Sequence, residues 1–251
     1  MAIIALNWET AHLHGDTWIS QHRLRHRIFV ERQAWSVPAY NNLEYDDFDT
    51  PAAVYLVRSD DQGRARGIAR LIPTTRPYMV QTLWPDLLDH PAPADPSIWE
   101  ATRFGCDRGL APIQRSQIVG ELICGCLEWA LQLDIRTYLA VMPVWIFQQV
   151  LARSGCPIRY ACPSRVMQRH HIAAAYIDVS PAVLATVRTR TGIAGAVLDA
   201  EGAQRVLAKR GHRPSRGIIP EPHGPALPRC PPPLSGFGRC MEGGNAAQHP
   251  R

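Results

Sequence analysis

The sequence predicts a mixed α/β domain on three observations. Short apolar runs alternate with turn signals through residues 1 to about 190. One long segment carries helical periodicity, and two of the runs flank the turn sequence Ser59-Asp60-Asp61-Gln62-Gly63. In chain order, Ser20 to Val30 reads as a helix, with Leu24, Ile28 and Phe29 as its apolar face. His22, Arg23, Arg25, His26 and Arg27 crowd the remainder. Ala52 to Arg58 and Gly67 to Ile72 form a hairpin around the turn, and Ile98 to Cys106 alternates as another strand. Ile118 to Leu133 is the strongest helix, because Ile118, Leu122, Ile123, Cys126, Leu127, Ala130 and Leu131 fall at helical spacing. Arg136 to Met142 follows as a strand, and Val144 to Arg153 as a helix stopped by Ser154-Gly155. Ile172 to Val179 is a late strand, and Pro181 to Arg188 a short helix.

Residues 191–211 read as a linker or terminal extension. From His212 the character changes: nine of the 22 prolines and six glycines fall there with few large apolar residues, so disorder is expected. That tail also carries +3 of the net charge of +5, which leaves the rest without the basic footprint of a nucleic-acid binder. A chain of 251 residues with 46% hydrophobic and 20% charged residues has the balance of a soluble globular protein. No run reaches the 18 or so apolar residues of a membrane span, and residues 1–8 lack the basic start and apolar core of a signal peptide. A cytoplasmic location is expected. The seven cysteines show no zinc-type spacing, so reduced and mostly buried thiols are expected, and no metal.

The chemistry concentrates between residues 25 and 49. Arg25 and Phe29 lie four apart, Trp35 follows, and Glu44-Tyr45-Asp46-Asp47-Phe48-Asp49 forms an acidic run. Cationic, aromatic and anionic groups gathered this closely suit a ligand that is zwitterionic and flat in part. Two further motifs follow, Gly67 to Met79 around Arg70 and Trp99-Glu100-Ala101-Thr102-Arg103-Phe104.

In type, order and spacing these motifs resemble the acyl-homoserine lactone synthases, the autoinducer synthases of bacterial quorum sensing, over residues 1 to about 190. The resemblance implies an α/β/α sandwich with a mixed central sheet, similar to the N-acetyltransferases. It implies acylation of the amine of S-adenosylmethionine from an acyl thioester, carried on acyl carrier protein or coenzyme A. Lactonisation and release of methylthioadenosine would follow. S-adenosylmethionine is then a substrate, and no cofactor is expected. The family's characteristic residues fall on Arg25, Phe29, Trp35, Asp46, Asp49, Arg70, Glu100 and Arg103. Thr102 stands where serine is usual, Trp84 where phenylalanine is common, and Arg76 where glycine is most frequent. Met142 and Pro143 lie where many members favouring 3-oxo chains carry threonine, so the resemblance does not extend to a 3-oxo preference.

Aminolysis of a thioester requires a neutral amine, while an α-ammonium group is largely protonated near neutral pH. Glu100 is the candidate general base, with Arg103 beside it in the catalytic role. Asp46 and Asp49 would contact the ammonium or adenosine portion, or pair with Arg70 and Arg103. Phe29 and Trp35 would stack on or enclose the adenine, and Arg25 would meet the methionyl carboxylate. Thr102 and Phe104 complete the candidate substrate-binding set. Tyr138, Ala140, Met142, Trp145, Ile146 and Leu151 are candidates for the acyl tunnel, with Met142, Trp145 and Ile146 preferred. Arg153, Arg159, Arg165 and Arg169 lie in an acid-free stretch and would steer an acidic acyl carrier protein. The alternatives are an N-acyltransferase of the same fold acting on another amine, or a non-catalytic acyl-ligand module. Residues 107–115 lack the Gly-rich pyrophosphate loop of coenzyme-A-dependent acetyltransferases, and retention of Glu100 and Arg103 argues against a non-catalytic role.

Overall fold

The apolar runs pair into one eight-stranded sheet. The computed structural model describes residues 2–167 and 170–211. In chain order the elements are β1 (Ile3–Asn7), α1 (Gly15–Arg25), a π-helical turn (His26–Arg32), β2 (Ala39–Tyr40) and β3 (Leu43–Glu44). Next come β4 (Val54–Ser59), β5 (Ala65–Pro73), α2 (Met79–Leu83), β6 (Ile98–Cys106) and α3 (Pro112–Gln132). Then follow β7 (Thr137–Pro143), α4 (Val144–Ile146) leading into a second π-helical turn (Phe147–Ala152), β8 (Ile158–Tyr160) and β9 (Arg165–Met167). β10 (His170–Asp178), α5 (Pro181–Thr191) and α6 (Ala200–Gly211) complete the described chain. The sheet order is β1-β4-β5-β6-β7-β10-β8, with β9 pairing the start of β10. Only the β6–β7 pair is parallel, so the sheet is mixed.

Period-two alternation divides the core into two layers. Val54 and Leu56 of β4 face one cluster with Ile118 and Leu122 of α3, Leu184 of α5 and Val206 of α6. Tyr55 and Val57 face the other with Leu24, Ile28 and Phe29. The result is the expected α/β/α sandwich.

Helix boundaries depart from the sequence reading where polar residues carry the signal. The first helix begins at Gly15 rather than Ser20, because its buried residues include Thr17, Gln21, His22 and Arg25 as well as Leu24. After Arg25 the wider π turn takes over, so Arg25 and Phe29 do not share the single α-helical face expected of them. α3 starts at Pro112, six residues early, through an exposed first turn in which the Gln114 side chain accepts from Ala111 N–H at 3.1 Å. The helix expected over Val144 to Arg153 is a three-residue α turn followed by π geometry. α5 runs on to Thr191, capped by Ser180 at its start and by Gly192 at φ +73° at its end.

The stretch expected to be a linker carries α6, and Ala203 and Val206 bury into the main core. Residues 197–199 bond Ile3 of β1 on both sides, and the Glu128 carboxylate accepts from Val197 and Leu198 N–H. The Pro-rich tail expected from His212, and Arg169, lie outside the described residues. Among the described residues no helix is long and apolar enough to cross a membrane.

Two local breaks in the sheet position the site. β6 and β7 pair only from Ile98–Thr137 to Ala101–Ala140, although β6 continues to Cys106 and β7 to Pro143. Across the β5–β6 ladder the register shifts between Ile68 and Arg70, where β6 supplies one extra residue. That bulge holds Arg103 at φ +51°, left-handed backbone that a side-chain-bearing residue rarely adopts.

At Gly67 of β5 the sheet lies close against α3, and an added Cβ would sit 2.6 Å from Ile118 Cγ2 and 2.9 Å from Leu122 Cδ1. Gly67→Ala should therefore destabilise the chain by about 1–3 kcal/mol through overpacking. Urea denaturation measures this, and an unchanged midpoint would show that α3 yields without cost.

Candidate active site

Six buried charged side chains close into a ring of alternating sign. Arg25 pairs with Glu44, Glu44 with Arg103, Arg103 with Asp46, Asp46 with Arg70, Arg70 with Asp49, and Asp49 with Arg25 again. None of the six side chains is more than 9% exposed. The Arg25 fork meets Asp49 at 2.7 and 2.8 Å, and Arg70 reaches Asp46 at 2.9 Å and Asp49 at 3.0 Å. Arg103 donates to Glu44 at 2.9 and 3.1 Å.

A tight turn aims the two aspartates. Asp46 accepts from Phe48 N–H at 2.9 Å, Asp49 accepts from Asp46 N–H at 2.8 Å, and Asp49 N–H returns to the Asp46 carbonyl at 3.0 Å. Tyr55 adds its hydroxyl to Asp49 at 2.6 Å. Burial alone would raise both carboxyls. Arg25 outweighs it at Asp49, and Arg70 with Arg103 at Asp46, holding each below the usual carboxylate range. Burial, and next the charge of Arg70, pull Arg103 below its ordinary value.

The ring borders a cavity of about 240 Å³ that opens where β6 and β7 part. Asp46 and Arg103 are the ring members that line it, beside Thr102 and Phe104 of β6 and Met142 and Pro143 of β7. Phe29 and Trp35 form another wall, stacked with ring centroids 5.5 Å apart, and the Arg103 guanidinium lies over Phe29 at 5.3 Å. Thr102 Oγ accepts from Arg70 Nε at 3.0 Å, which leaves its hydroxyl proton free to donate. The far side is apolar, with Trp84, Val141, Ile146, Met167 and Ile172.

Glu100 stands behind this wall, fully buried and outside the cavity lining. Its carboxylate accepts from Met79 N–H at 2.9 Å and Val80 N–H at 2.7 Å, so it ties down the first turn of α2. Burial raises its pKa, and the two backbone donors only partly oppose that shift. The Met79 sulfur touches the guanidinium groups of Arg70 and Arg103 at 3.5 and 3.4 Å.

Thus the structure brings together Phe29, Trp35, Asp46, Thr102, Arg103, Phe104, Met142 and Ile146 at one cavity. Arg25, Asp49 and Arg70 sit behind it as members of the ring, where Arg25 has no surface to offer a carboxylate. Trp145 is 45% exposed and is not part of this cavity's lining; it lines an adjoining cleft that Ile146 also borders. Tyr138, Ala140 and Leu151 belong to the core under α3.

The acid-free stretch does not form one basic patch. Arg159 lies 3.7 Å from Asp178, Arg165 pairs with Asp86, and Arg153 lines the same cleft as Trp145. Those acids arrive from β10 and the loop after α2, beyond what sequence proximity shows.

Glu44 was not among the candidate site residues. Its signal is its position two residues before Asp46 in an extended segment, which turns both carboxylates to one side. Tyr55 and Met79 carried no such signal.

The autoinducer synthase family model matches residues 12–187. An acyl-homoserine-lactone synthase of Ralstonia nicotianae is 32% identical over 178 residues, covering 68% of this chain and 85% of that protein. Among solved structures, the CoA-dependent acyl-homoserine lactone synthase MesI superposes with a TM-score of 0.71 at 30% identity, covering 79% of this chain and 99% of that one. BjaI, a CoA-dependent acyl-homoserine lactone synthase solved with SAM and isopentyl-CoA, gives 0.71 at 25% identity, covering 82% and 99%.

His22 joins the ring to α1. Its Nδ1 donates to the Glu44 carbonyl at 2.9 Å, its ring stacks on Tyr45, and its buried Nε2 has no partner among the described residues. Burial, then the Arg25 charge, lower its pKa from 6.5 to about 4. Unfolded chains bind this proton below pH 6.5 and the folded protein does not, so stability is lost as pH falls from about 6.5 towards 4. Each unit within that window costs up to about 1.4 kcal/mol from this group. Denaturation of wild type and His22→Gln at pH 7 and 4.5 tests it: the variant should lose less on acidification. Equal losses would place the acid sensitivity elsewhere.

Proposed function

The chain belongs to the autoinducer synthase family, and from that premise we propose that it acylates the amine of S-adenosylmethionine from an acyl thioester and closes a homoserine lactone. The observation that carries the reading is the Asp46–Arg103 edge of the ring, set between the Phe29–Trp35 stack and an apolar recess. One edge therefore offers an anion for the ammonium, a cation for the carboxylate and a flat surface for the adenine. Because Phe29 and Trp35 stack on each other, the adenine packs against the pair rather than between them. The recess between β6 and β7 takes the acyl chain, with Met142 and Ile146 in its wall.

The chemistry proceeds in two balanced steps. The neutral amine nitrogen attacks the thioester carbonyl carbon, the carbon–sulfur bond breaks, and the thiol of the carrier leaves with a proton. Thr102 donates its free hydroxyl proton as a hydrogen bond to the oxyanion that forms on the way. The methionyl carboxylate oxygen then attacks the γ carbon, and the sulfonium sulfur departs with the bonding pair as methylthioadenosine. Glu100 accepts the ammonium proton through a water. Each of its oxygens uses one acceptor site on a backbone N–H and keeps another, and the rise that burial imposes on its pKa makes it a stronger base than a free carboxylate. The donor brings a phosphopantetheine arm, a part common to acyl carrier protein and coenzyme A. Docking of an acyl carrier protein on Arg159 and Arg165 loses support from the acids that face them.

Mass spectrometry of spent medium from a heterologous host expressing the chain tests the reading. An acyl-homoserine lactone is the expected product, and an acylated amine without a lactone would mark an acyltransferase of another kind. Glu100→Gln should lower kcat by roughly 10²–10⁴-fold while affinity for S-adenosylmethionine changes little. Near-normal turnover in folded Glu100→Gln would reduce Glu100 to an anchor for α2.

A further inference from the structure

Met79 touches both Glu100 and the ring. Its N–H donates to Glu100 at 2.9 Å, and its sulfur meets Arg103 Nη1 at 3.4 Å and Arg70 Nη2 at 3.5 Å. The residue is 5% exposed and belongs to the cavity wall. Arg70 Nη2 also has a carboxylate, Asp46 at 2.9 Å. Arg103 Nη1 does not. Arg103 bonds Glu44 and Asp46 through Nε and Nη2, and among the described residues the acceptor at Nη1 is the thioether alone. A thioether is a weak acceptor, so a charged donor at the cavity wall is poorly satisfied. Met142 and Met167 line the same cavity, but they pack among the apolar side chains of the two core layers.

The donor at Arg103 Nη1 is open to any stronger acceptor. Resting on the S-adenosylmethionine reading above, we propose that Met79 is an oxidation site through which hydrogen peroxide closes the substrate site. Its sulfoxide oxygen takes the Arg103 N–H that would bind the substrate carboxylate. In the oxidation, the sulfur lone pair attacks one peroxide oxygen and the O–O bond breaks. The proton on the transferred oxygen passes to the departing hydroxide, so the thioether is oxidised by two electrons and peroxide leaves as water. Between two guanidinium groups the new oxygen accepts charge-assisted hydrogen bonds. At Met142 or Met167 the same oxygen would sit in apolar surroundings, at a cost. The flexible Met79 side chain can seat the oxygen against the arginines while its backbone stays tied to Glu100. Methionine sulfoxide is reducible, which makes the closure reversible.

The test treats the full chain with dilute hydrogen peroxide, then with dithiothreitol to reduce oxidised thiols. Peptide mass mapping reads each methionine, and calorimetric titration reads affinity for S-adenosylmethionine. One added oxygen on the Met79 peptide should rise in step with a loss of affinity of about tenfold or more. S-adenosylmethionine present during treatment should slow both changes, and methionine sulfoxide reductase should reverse both. Met79→Leu, whatever its own Kd, should keep that Kd through the treatment. The Met142→Leu/Met167→Leu variant should stay as sensitive as wild type, which keeps the test decisive if Met79→Leu does not fold. Undiminished affinity after the treatment, equal sensitivity in folded Met79→Leu, resistance in the double variant, or an unmodified Met79 peptide in protein that has lost affinity would each overturn the proposal. Untreated wild type that binds no S-adenosylmethionine would sink the functional reading instead, and the oxidation site would then stand or fall on the peptide map.

Discussion

A closed ring of six buried charges is the constraint on which the site depends. A buried ion pair is a poor source of net stability, because desolvation offsets most of its attraction. Losing one partner is different, since it strands a charge in the interior at a cost of about 3–5 kcal/mol. In this chain every ring member has two oppositely charged neighbours, so each deletion leaves two groups with one partner apiece and the ring one buried charge out of balance. The ring therefore fixes geometry more than it stabilises the fold. It ties α1, β3, the Asp46–Asp49 turn, β5 and β6 to common positions through Arg25, Glu44, the two aspartates, Arg70 and Arg103.

What the ring holds in place is an irregular strand. β6 leaves its pairing with β7 after Ala101, bulges against β5 and carries Arg103 at positive φ. Alone these departures lose ladder hydrogen bonds and add backbone strain. Arg103 is bonded to Glu44 and Asp46 and packed over Phe29, so the conformation is over-determined by its surroundings. The same departures open the space between the strands that receives the acyl chain in the proposed reaction. Strain, charge and cavity thus arise at one point of the sheet.

Much of this was legible in the residues. The β4–β5 hairpin and β6 followed from alternation and turn chemistry, and the acidic run with Arg25, Arg70 and Arg103 marked the site. The start of α1 escaped because it buries Thr17, Gln21 and His22, which apolar periodicity does not register. The π turns escaped because no local residue pattern announces them, and the first carries Phe29 to the cavity wall while Arg25, at the end of α1, stays in the ring. Arg153, Arg159 and Arg165 looked alike in the sequence, but Asp178 and Asp86 arrive only through the fold.

If the ring sets Arg103 for substrate binding, Glu44 is the residue to change, because it bonds Arg103 without lining the cavity. The measurement is the Kd for S-adenosylmethionine of wild type and Glu44→Gln, by calorimetric titration on protein that unfolds cooperatively. Loss of the Glu44 charge should weaken binding about tenfold or more, equivalent to about 1.4 kcal/mol. Wild-type affinity in the folded variant would mean that Arg103 holds its position without the ring.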